Sequence, residues 1–117
     1  MNYSSIFNKD LPELCINKKE LTDLVCDALP TKSNSFDFVN LLTAIARQCI
    51  ANKTKFNLEN NVEYNEVLDG TDKVRIREII WDLIILRYLT LGDYYHDTWP
   101  HLSVTESGIA FLVGRIS

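Results

Sequence analysis

Apolar residues recur at three- and four-residue spacing in three segments of the chain, which is the pattern of amphipathic helices. The pattern predicts helices over residues 18–29, 36–52 and 72–86. Asn17 precedes the first segment and is expected to cap it, and Pro30 follows and stops it. The polar stretch 31–34 then predicts a short linker to the second helix.

Two polar residues mark the expected beginnings of the later helices. Ser35 is predicted to cap the second helix, and Thr71 to cap the third. Asp72 falls in the first turn of the third helix, where a carboxylate interacts favourably with the helix dipole. Between these helices, residues 62–68 fit a short helix, and the letters KFNL at residues 55–58 suggest a brief strand.

After the third helix the apolar period changes from helical to alternating. Leu89 and Leu91 flank Thr90, Gly92 opens a turn, and Leu102 and Val104 then flank Ser103 in a returning strand. A final helix is expected to begin with the letters TESG at residues 105–108.

The third helix carries two apolar stripes rather than one. The inner stripe consists of four aliphatic residues: Ile76, Ile79, Ile80 and Leu83. The second stripe is turned away from it and consists of Val74, Trp81, Ile85 and Tyr88. A surface helix needs cover on one side only, so this helix is expected to be covered on two. The helix at 36–52 can cover one side, and either the N-terminal segment or another protein can cover the other.

The sequence of residues 79–108 resembles the C-terminal part of a widespread bacterial winged-helix pattern. The matching letters are IIWDLIILRYLTLG and WPHLSVTESG, which contain a Trp-x-Leu helix, a strand ending in Gly, Trp-Pro, and Thr-Glu-x-Gly. The resemblance implies a winged helix-turn-helix: mainly α, with a small antiparallel β-hairpin and here an added N-terminal helix. We expect a single domain over 1–117, with the N-terminal segment and helix in 1–33 and the winged-helix unit in 34–117. The resemblance implies little about function, because such modules read DNA, form dimers or serve larger machines.

The chain departs from this pattern at the end of the long helix and in the strand after it. Family members often have Gly where Arg87 stands and Pro where Leu91 stands, and they tend to be polar near Ile85 and Leu86. Glycine there would end the helix in a left-handed cap, so Arg87 is expected to finish it in another way. The extra apolar residues suggest a contact surface beyond the domain.

Composition is that of an ordinary globular domain of 117 residues, 46% apolar and 24% charged. No apolar run is long enough for a transmembrane helix, and the N-terminus lacks the features of a signal peptide. Cys15, Cys26 and Cys49 are an odd number at wide spacing and sit among apolar residues. This usage predicts a cytoplasmic protein with buried, free thiols and no membrane partner.

The net charge of -4 weakens the usual assignment of a winged helix to DNA binding, because phosphate contacts normally require a basic excess. The candidate DNA contacts lie around the start of the long helix: Lys53, Lys55, Lys73, Arg75 and Arg77. Acidic residues surround the same entrance, and Asp93 and Asp97 bracket the predicted wing tip. These negative charges repel the phosphates of DNA both at the start of the long helix and at the wing tip.

The sequence contains only weak indications of a catalytic site or a metal site. His96 and His101 stand five residues apart with no cysteine close by, so their spacing predicts no zinc site. Together with Asp93 and Asp97 they could do acid–base work, but the ordinary interpretation is a polar wing. The sequence has no nucleophile elbow, phosphate-binding glycine loop or cofactor fingerprint. We therefore expect a protein that is not an enzyme and has no cofactor, metal or small-molecule substrate.

The remaining apolar surface favours binding to protein, either to itself or to a larger partner. The candidate interface residues are aromatic or aliphatic positions on the long helix and the wing: Val74, Trp81, Ile85, Tyr88, Tyr94, Tyr95 and Trp99. Trp81 and Trp99 could equally fill the domain core. The sequence thus predicts a non-catalytic adaptor or assembly subunit, with a small DNA-binding transcriptional regulator as the alternative.

Overall fold

Helices dominate the computed structural model, which describes residues 8–31 and 35–116. Within those residues it has four helices, α1 (Lys18–Ala28), α2 (Phe38–Ala51), α3 (Gly70–Ile85) and α4 (Glu106–Ile116). Its three strands are β1 (Ser35–Asp37), β2 (Leu89–Leu91) and β3 (His101–Val104). The expected mainly helical fold with an antiparallel hairpin is confirmed at this level. Most of the linker predicted at 31–34 lies outside the described residues.

The three strands form one antiparallel sheet in the order β1-β3-β2. The β2–β3 hairpin was predicted, and Leu91 pairs with Leu102 in its register. Strand β1 was not predicted: Phe36 pairs with Leu102 on the other edge of β3. Ser35 was therefore wrong as a helix cap, because its backbone belongs to the sheet. Asp37 caps α2 instead, its carboxylate accepting the Asn40 N–H at 2.8 Å.

Helices α1 and α3 both present apolar faces to the core. Asn17 caps α1 as expected, its side-chain oxygen accepting the Glu20 N–H at 2.8 Å. The inner stripe of α3 is fully or almost fully buried, which confirms the period read from the sequence. The core joins these faces to α2, the sheet and α4 through Leu21, Val25, Leu41, Ile45, Ile76, Ile80, Leu102 and Leu112.

The segment between α2 and α3 is irregular, so two predictions failed there. Residues 55–57 form turns and Leu58 is irregular, so there is no strand here. Residues 62–68 form no helix, because Tyr64 pairs in parallel with Lys9 of the N-terminal segment. The Lys9 N–H donates to the Glu63 carbonyl at 3.0 Å, and the Asn65 N–H donates to the Lys9 carbonyl at 2.9 Å. These hydrogen bonds hold both segments extended.

The beginning of α3 also differs from expectation, because the helix starts at Gly70 and Asp69 is its cap. The Asp69 carboxylate accepts the Thr71 N–H at 2.9 Å, so Thr71 was wrong as the cap. Asp72 lies in the first turn of α3 as expected, and it is completely buried there. Its carboxylate accepts the N–H of Leu14 at 2.8 Å, which anchors the N-terminal segment on the helix.

The end of α3 is a left-handed cap formed by Arg87, with a φ of 66°. The Arg87 N–H donates to the Ile84 carbonyl at 2.9 Å, and the Tyr88 N–H to the Leu83 carbonyl at 2.9 Å. This pair of bonds is the Schellman arrangement, which normally uses glycine. The expectation that Arg87 would finish the helix differently was wrong.

The cysteines divide into two buried thiols and one exposed thiol, all free. Burial raises the pKa of Cys26, and it raises the pKa of Cys49 to about 11. Both are therefore protonated, unreactive core residues. Cys15 is exposed, so the prediction that all three are buried was wrong for this residue.

Among the described residues, no helix is both long enough and apolar enough to cross a bilayer.

Candidate functional site

The outward side of α3 carries three apolar side chains in one line. Val74, Trp81 and Ile85 are spaced by seven and four residues, which aligns them along a helix. Their exposed fractions are 45%, 42% and 75%, respectively. This line, hereafter the outer face of α3, is the second apolar stripe of the sequence. The described part of the N-terminal segment bonds to Asp72 and Arg75 at the start of α3. It does not cover the outer face completely.

Trp81 is held in place on its inner side by an aromatic cluster. Its ring stacks on Trp99 at a centroid distance of 6.0 Å, and Trp99 lies 4.8 Å from Phe38 in α2. The Phe38 N–H also donates to the Pro100 carbonyl at 3.0 Å. The cluster thus joins α3, α2 and the loop before β3. A half-exposed tryptophan held rigid on one side is the kind of anchor that protein interfaces use.

Trp99 and Tyr88 are less available than the outer face. Trp99 is half-buried between Trp81 and Phe38 and serves largely as packing. Tyr88 is half-buried and stacks on Phe111 of α4 at 4.4 Å. It follows the left-handed Arg87, so the chain has already turned away from the helix axis. The structure therefore separates Tyr88 from the stripe in which the sequence placed it.

Residues 92–100, which join β2 to β3, form the wing loop. Gly92 has a φ of 89°, and an added Cβ would lie 2.6 Å from the His96 carbonyl oxygen. Asp93 organises the turn that follows, its Oδ1 accepting the N–H groups of Tyr95 at 2.9 Å and His96 at 2.8 Å. An aspartate that binds the amides two and three residues ahead stabilises a tight turn. This turn places Tyr94 and Tyr95 at the surface.

Tyr94 and Tyr95 are the most exposed aromatic residues of the candidate interface, at 90% and 83%. Their rings pack edge to face at a centroid distance of 4.8 Å. Two adjacent tyrosines supply large contact area with little side-chain entropy to lose, which suits protein recognition. The wing tip is thus a second exposed aromatic surface in addition to the outer face of α3.

The base of the wing loop gathers Asp93, His96 and His101. His96 Nδ1 lies 3.0 Å from Asp93 Oδ1, and His101 Nδ1 lies 3.5 Å from Asp93 Oδ2. The two imidazole rings stack with centroids 3.7 Å apart. Desolvation opposes ionisation of Asp93, but the hydrogen bonds from Tyr95 and His96 outweigh it and lower the pKa of this carboxyl. The result is a carboxylate facing two imidazoles, a donor set able to hold a metal ion.

Two of the five candidate DNA contacts are engaged within the protein. Arg75 donates to the Ile16 carbonyl at 2.8 Å and to the Leu14 carbonyl at 3.4 Å. Lys53 donates to the Val62 carbonyl at 2.7 Å and the Asn60 carbonyl at 3.3 Å. These bonds fix the loop and the N-terminal segment, so neither cation projects freely toward a ligand.

The other three candidate cations differ in their surroundings. Lys73 is half-buried and lines a groove with Val67 and Leu68, while Lys55 and Arg77 are exposed. Lys55 lies 5.6 Å from the centroid of the Phe56 ring. The structure thus offers fewer available cations at the start of α3 than the sequence suggested.

No protein-family model, curated protein or solved structure matches this chain in three separate comparisons.

Sequence reasoning missed two features of this region. The buried Asp72 looked like an ordinary first-turn carboxylate, because its partner Leu14 is 58 residues away. The Asp93, His96 and His101 cluster was considered only as neighbouring residues in a loop. The available signal was the hairpin itself: pairing Leu91 with Leu102 places His101 opposite Gly92 and therefore close to Asp93.

Proposed function

We propose that this protein is a non-catalytic adaptor that binds another protein through the outer face of α3 and the tip of the wing loop. The observation that carries the proposal is the line formed by Val74, Trp81 and Ile85, of which Ile85 is 75% exposed. An exposed isoleucine and tryptophan on one helix face lose solvent contact when a partner covers them. Burial contributes about 25 cal/mol for each Å² of apolar surface removed from water.

Charge supports a protein partner over a nucleic acid. The chain has a net charge of -4, and the wing carries Asp93 and Asp97 beside its exposed tyrosines. Aromatic anchors with a polar surround are common in protein interfaces, whereas phosphate contacts require cations. The partner is a larger protein or a second copy of this chain, and we place both in the cytoplasm.

We also infer that the fold is a winged helix-turn-helix. The support is the order of α2, α3 and the β2–β3 hairpin, together with the long loop at its tip. Strand β1 adds to the free edge of β3, and α1 precedes it as the extra N-terminal helix. This inference describes the scaffold and does not itself assign a function.

The test compares Ile85→Glu with Val113→Glu as a matched control. Val113 is also an exposed aliphatic residue in a helix, 51% exposed, but it lies on α4. Each purified variant, and the unchanged protein, is examined by light scattering alone and with the proteins encoded beside its gene. We expect a complex with the unchanged protein and with Val113→Glu, and at least a tenfold weaker complex with Ile85→Glu, equivalent to about 1.4 kcal/mol.

Two outcomes contradict the proposal. One is a protein that stays monomeric in every mixture. The other is a complex that Ile85→Glu and Val113→Glu affect equally, because the outer face would then not be the contact surface. Circular dichroism of both variants establishes that they remain folded.

DNA binding stays a prediction with weaker support, because Arg75 and Lys53 bond to backbone carbonyls inside the protein. Specific binding would appear as salt-sensitive, nanomolar affinity for a duplex. An Arg77→Glu variant is the suitable probe, since Arg77 is exposed and Arg75 also holds the N-terminal segment.

A further inference from the structure

We propose that Asp93, His96 and His101 form a binding site for a divalent transition-metal ion of the zinc class. The three residues supply one carboxylate and two imidazoles, and their possible ligand atoms all lie within 4.8 Å of one another. The site is separate from the outer face of α3 and does not depend on the proposed adaptor function.

The distances suit a small cation. Zinc binds imidazole nitrogen and carboxylate oxygen at about 2.0–2.2 Å in tetrahedral geometry, which puts two ligand atoms about 3.3 Å apart. Here the two nitrogen-to-oxygen distances are 3.0 Å for His96 and 3.5 Å for His101, on different oxygens of Asp93. Both Nδ1 atoms therefore already face the carboxylate. Because the two rings stack with centroids 3.7 Å apart, the half-exposed His96 ring would have to turn out of the stack for both nitrogens to reach a common ion.

The backbone holds these donors in position before any ion binds. Asp93 Oδ1 accepts two backbone N–H groups, which fixes the orientation of the carboxylate. The Gly92 N–H donates to the His101 carbonyl at 2.6 Å, and the Asp93 N–H donates to the His96 carbonyl at 2.6 Å. Such second contacts orient metal ligands and strengthen binding.

The surrounding charge favours a cation as well. Asp37 is the cross-strand partner of His101, and both residues line an open cleft with Asp93.

Three protein ligands leave one tetrahedral position for water or for a side chain of a bound protein. Closed structural zinc sites have four protein ligands, so this site is of the open and exchangeable kind. His96 remains half-exposed, which gives an ion direct access from solvent. Nickel and copper ions prefer the same nitrogen-rich donors and would compete with zinc.

The experiment titrates the full chain with zinc chloride by isothermal calorimetry in a buffer that does not bind metal. Every protein carries Cys15→Ser, because the exposed Cys15 thiol is itself a zinc ligand. His96→Gln and His101→Gln remove one ligand each, and Asp97→Asn is the control, since Asp97 is an exposed acid of the same loop. Amide resonances followed by NMR report where the ion binds.

We expect one zinc ion per chain, at least tenfold weaker binding in each histidine variant, and unchanged binding in Asp97→Asn. Resonance changes should concentrate in residues 92–101. The proposal is overturned if no saturable binding occurs below roughly 1 mM zinc. It is also overturned if either histidine variant binds as tightly as the control, because the ion would then lie elsewhere or lack one of these ligands.

Discussion

Arg87 shows how a single residue can occupy a backbone conformation for which its type is poorly suited. Its φ of 66° places it in the left-handed region, which costs a residue with a Cβ about 1–2 kcal/mol. The cost persists because the Arg87 and Tyr88 N–H groups satisfy the last carbonyls of α3. The hydrogen bonds that end α3 and lead the chain into β2 therefore outweigh the strain of a left-handed arginine.

Replacing Arg87 with glycine should stabilise the protein. Glycine adopts this φ without strain, although its greater freedom in the unfolded chain offsets part of the gain. We expect Arg87→Gly to raise the free energy of unfolding by roughly 0.5–1 kcal/mol in urea denaturation. Arg87→Ala is the matched control, since it removes the same side chain but keeps the Cβ. Equal stability of the two variants would mean that the strain of the left-handed conformation is no larger than the entropic cost of glycine.

At the scale of elements, Thr105 and Gly108 of the Thr-Glu-x-Gly segment join the start of α4 to the end of α3. Thr105 Oγ1 donates to the Arg87 carbonyl at 2.6 Å and accepts the Gly108 N–H at 3.0 Å. The Thr105 N–H donates to the Tyr88 carbonyl at 3.0 Å. Gly108 is buried where α4 crosses this turn, and an added Cβ would overlap the Tyr88 carbonyl oxygen.

Gly108→Ala should therefore force α4 away from the turn and destabilise the protein. We expect a loss of about 1–3 kcal/mol, the usual cost of overpacking, measured by thermal or urea denaturation. Gly114→Ala is a control in the same helix, because an added Cβ there meets no described atom within 4 Å apart from its chain neighbours and the nearby backbone of α4. That variant should be neutral or slightly stabilised, since alanine favours a helix over glycine. Equal losses at both positions would argue against the close approach at Tyr88.

Much of the element level could be predicted from the sequence. The apolar periods of 3.6 and 2 placed the three main helices and both hairpin strands, because those periods depend on the side of an element that is buried. Strand β1 is only three residues long, and it exists because β3 offers it an edge. Such a short strand has too few residues to show a period.

At the scale of the whole molecule, the N-terminal segment is held on α3 by a buried carboxylate. Asp72 accepts the Leu14 N–H, and among the described residues its second oxygen has no hydrogen-bond partner. Arg75 lies 3.9 Å from it and bonds to carbonyls of the same segment. Desolvation by burial is the main reason that the pKa of Asp72 is raised above its ordinary value.

The raised pKa of Asp72 predicts the direction in which the free energy of unfolding changes with pH. The folded protein holds the Asp72 proton more tightly than the unfolded chain does. The stabilisation that the protonated carboxyl gives is therefore fully present below about pH 3.9, the pKa of an aspartate in the unfolded chain. It is lost as the pH rises through the pKa of Asp72 in the folded protein. Asp72→Asn removes the titration, and its amide oxygen can still accept the Leu14 N–H. We expect the stability of Asp72→Asn relative to the unchanged protein to increase from pH 4 upward and then level off.

Urea denaturation of both proteins between about pH 4 and pH 8 measures this difference. Asp97→Asn, a change at an exposed acid of the wing loop, is the control for the general effect of removing a charge. A relative stability that falls as pH rises would contradict the assignment of a destabilising, buried carboxylate.

The sequence predicted some features of the candidate contact surfaces, and others became clear only in the structure. The line of Val74, Trp81 and Ile85 follows from helical spacing alone, and the structure adds that it is exposed. The sequence could not show that Arg75 and Lys53 are engaged, since their partners are carbonyl groups of irregular segments. A backbone carbonyl has no sequence signature.

The sequence by itself determined the helices with a strong period, the hairpin, the double apolar face of α3 and the acidic charge. These depend on side-chain polarity at regular intervals, and burial on one side is enough to produce them. Only the tertiary structure decided where Asp72 is buried, how Arg87 closes α3, and that Asp93 and two histidines meet. Asp72 and the histidine cluster depend on chain segments brought together by folding, and the Arg87 cap is held in part by Thr105, 18 residues further on. Local spacing does not encode such contacts.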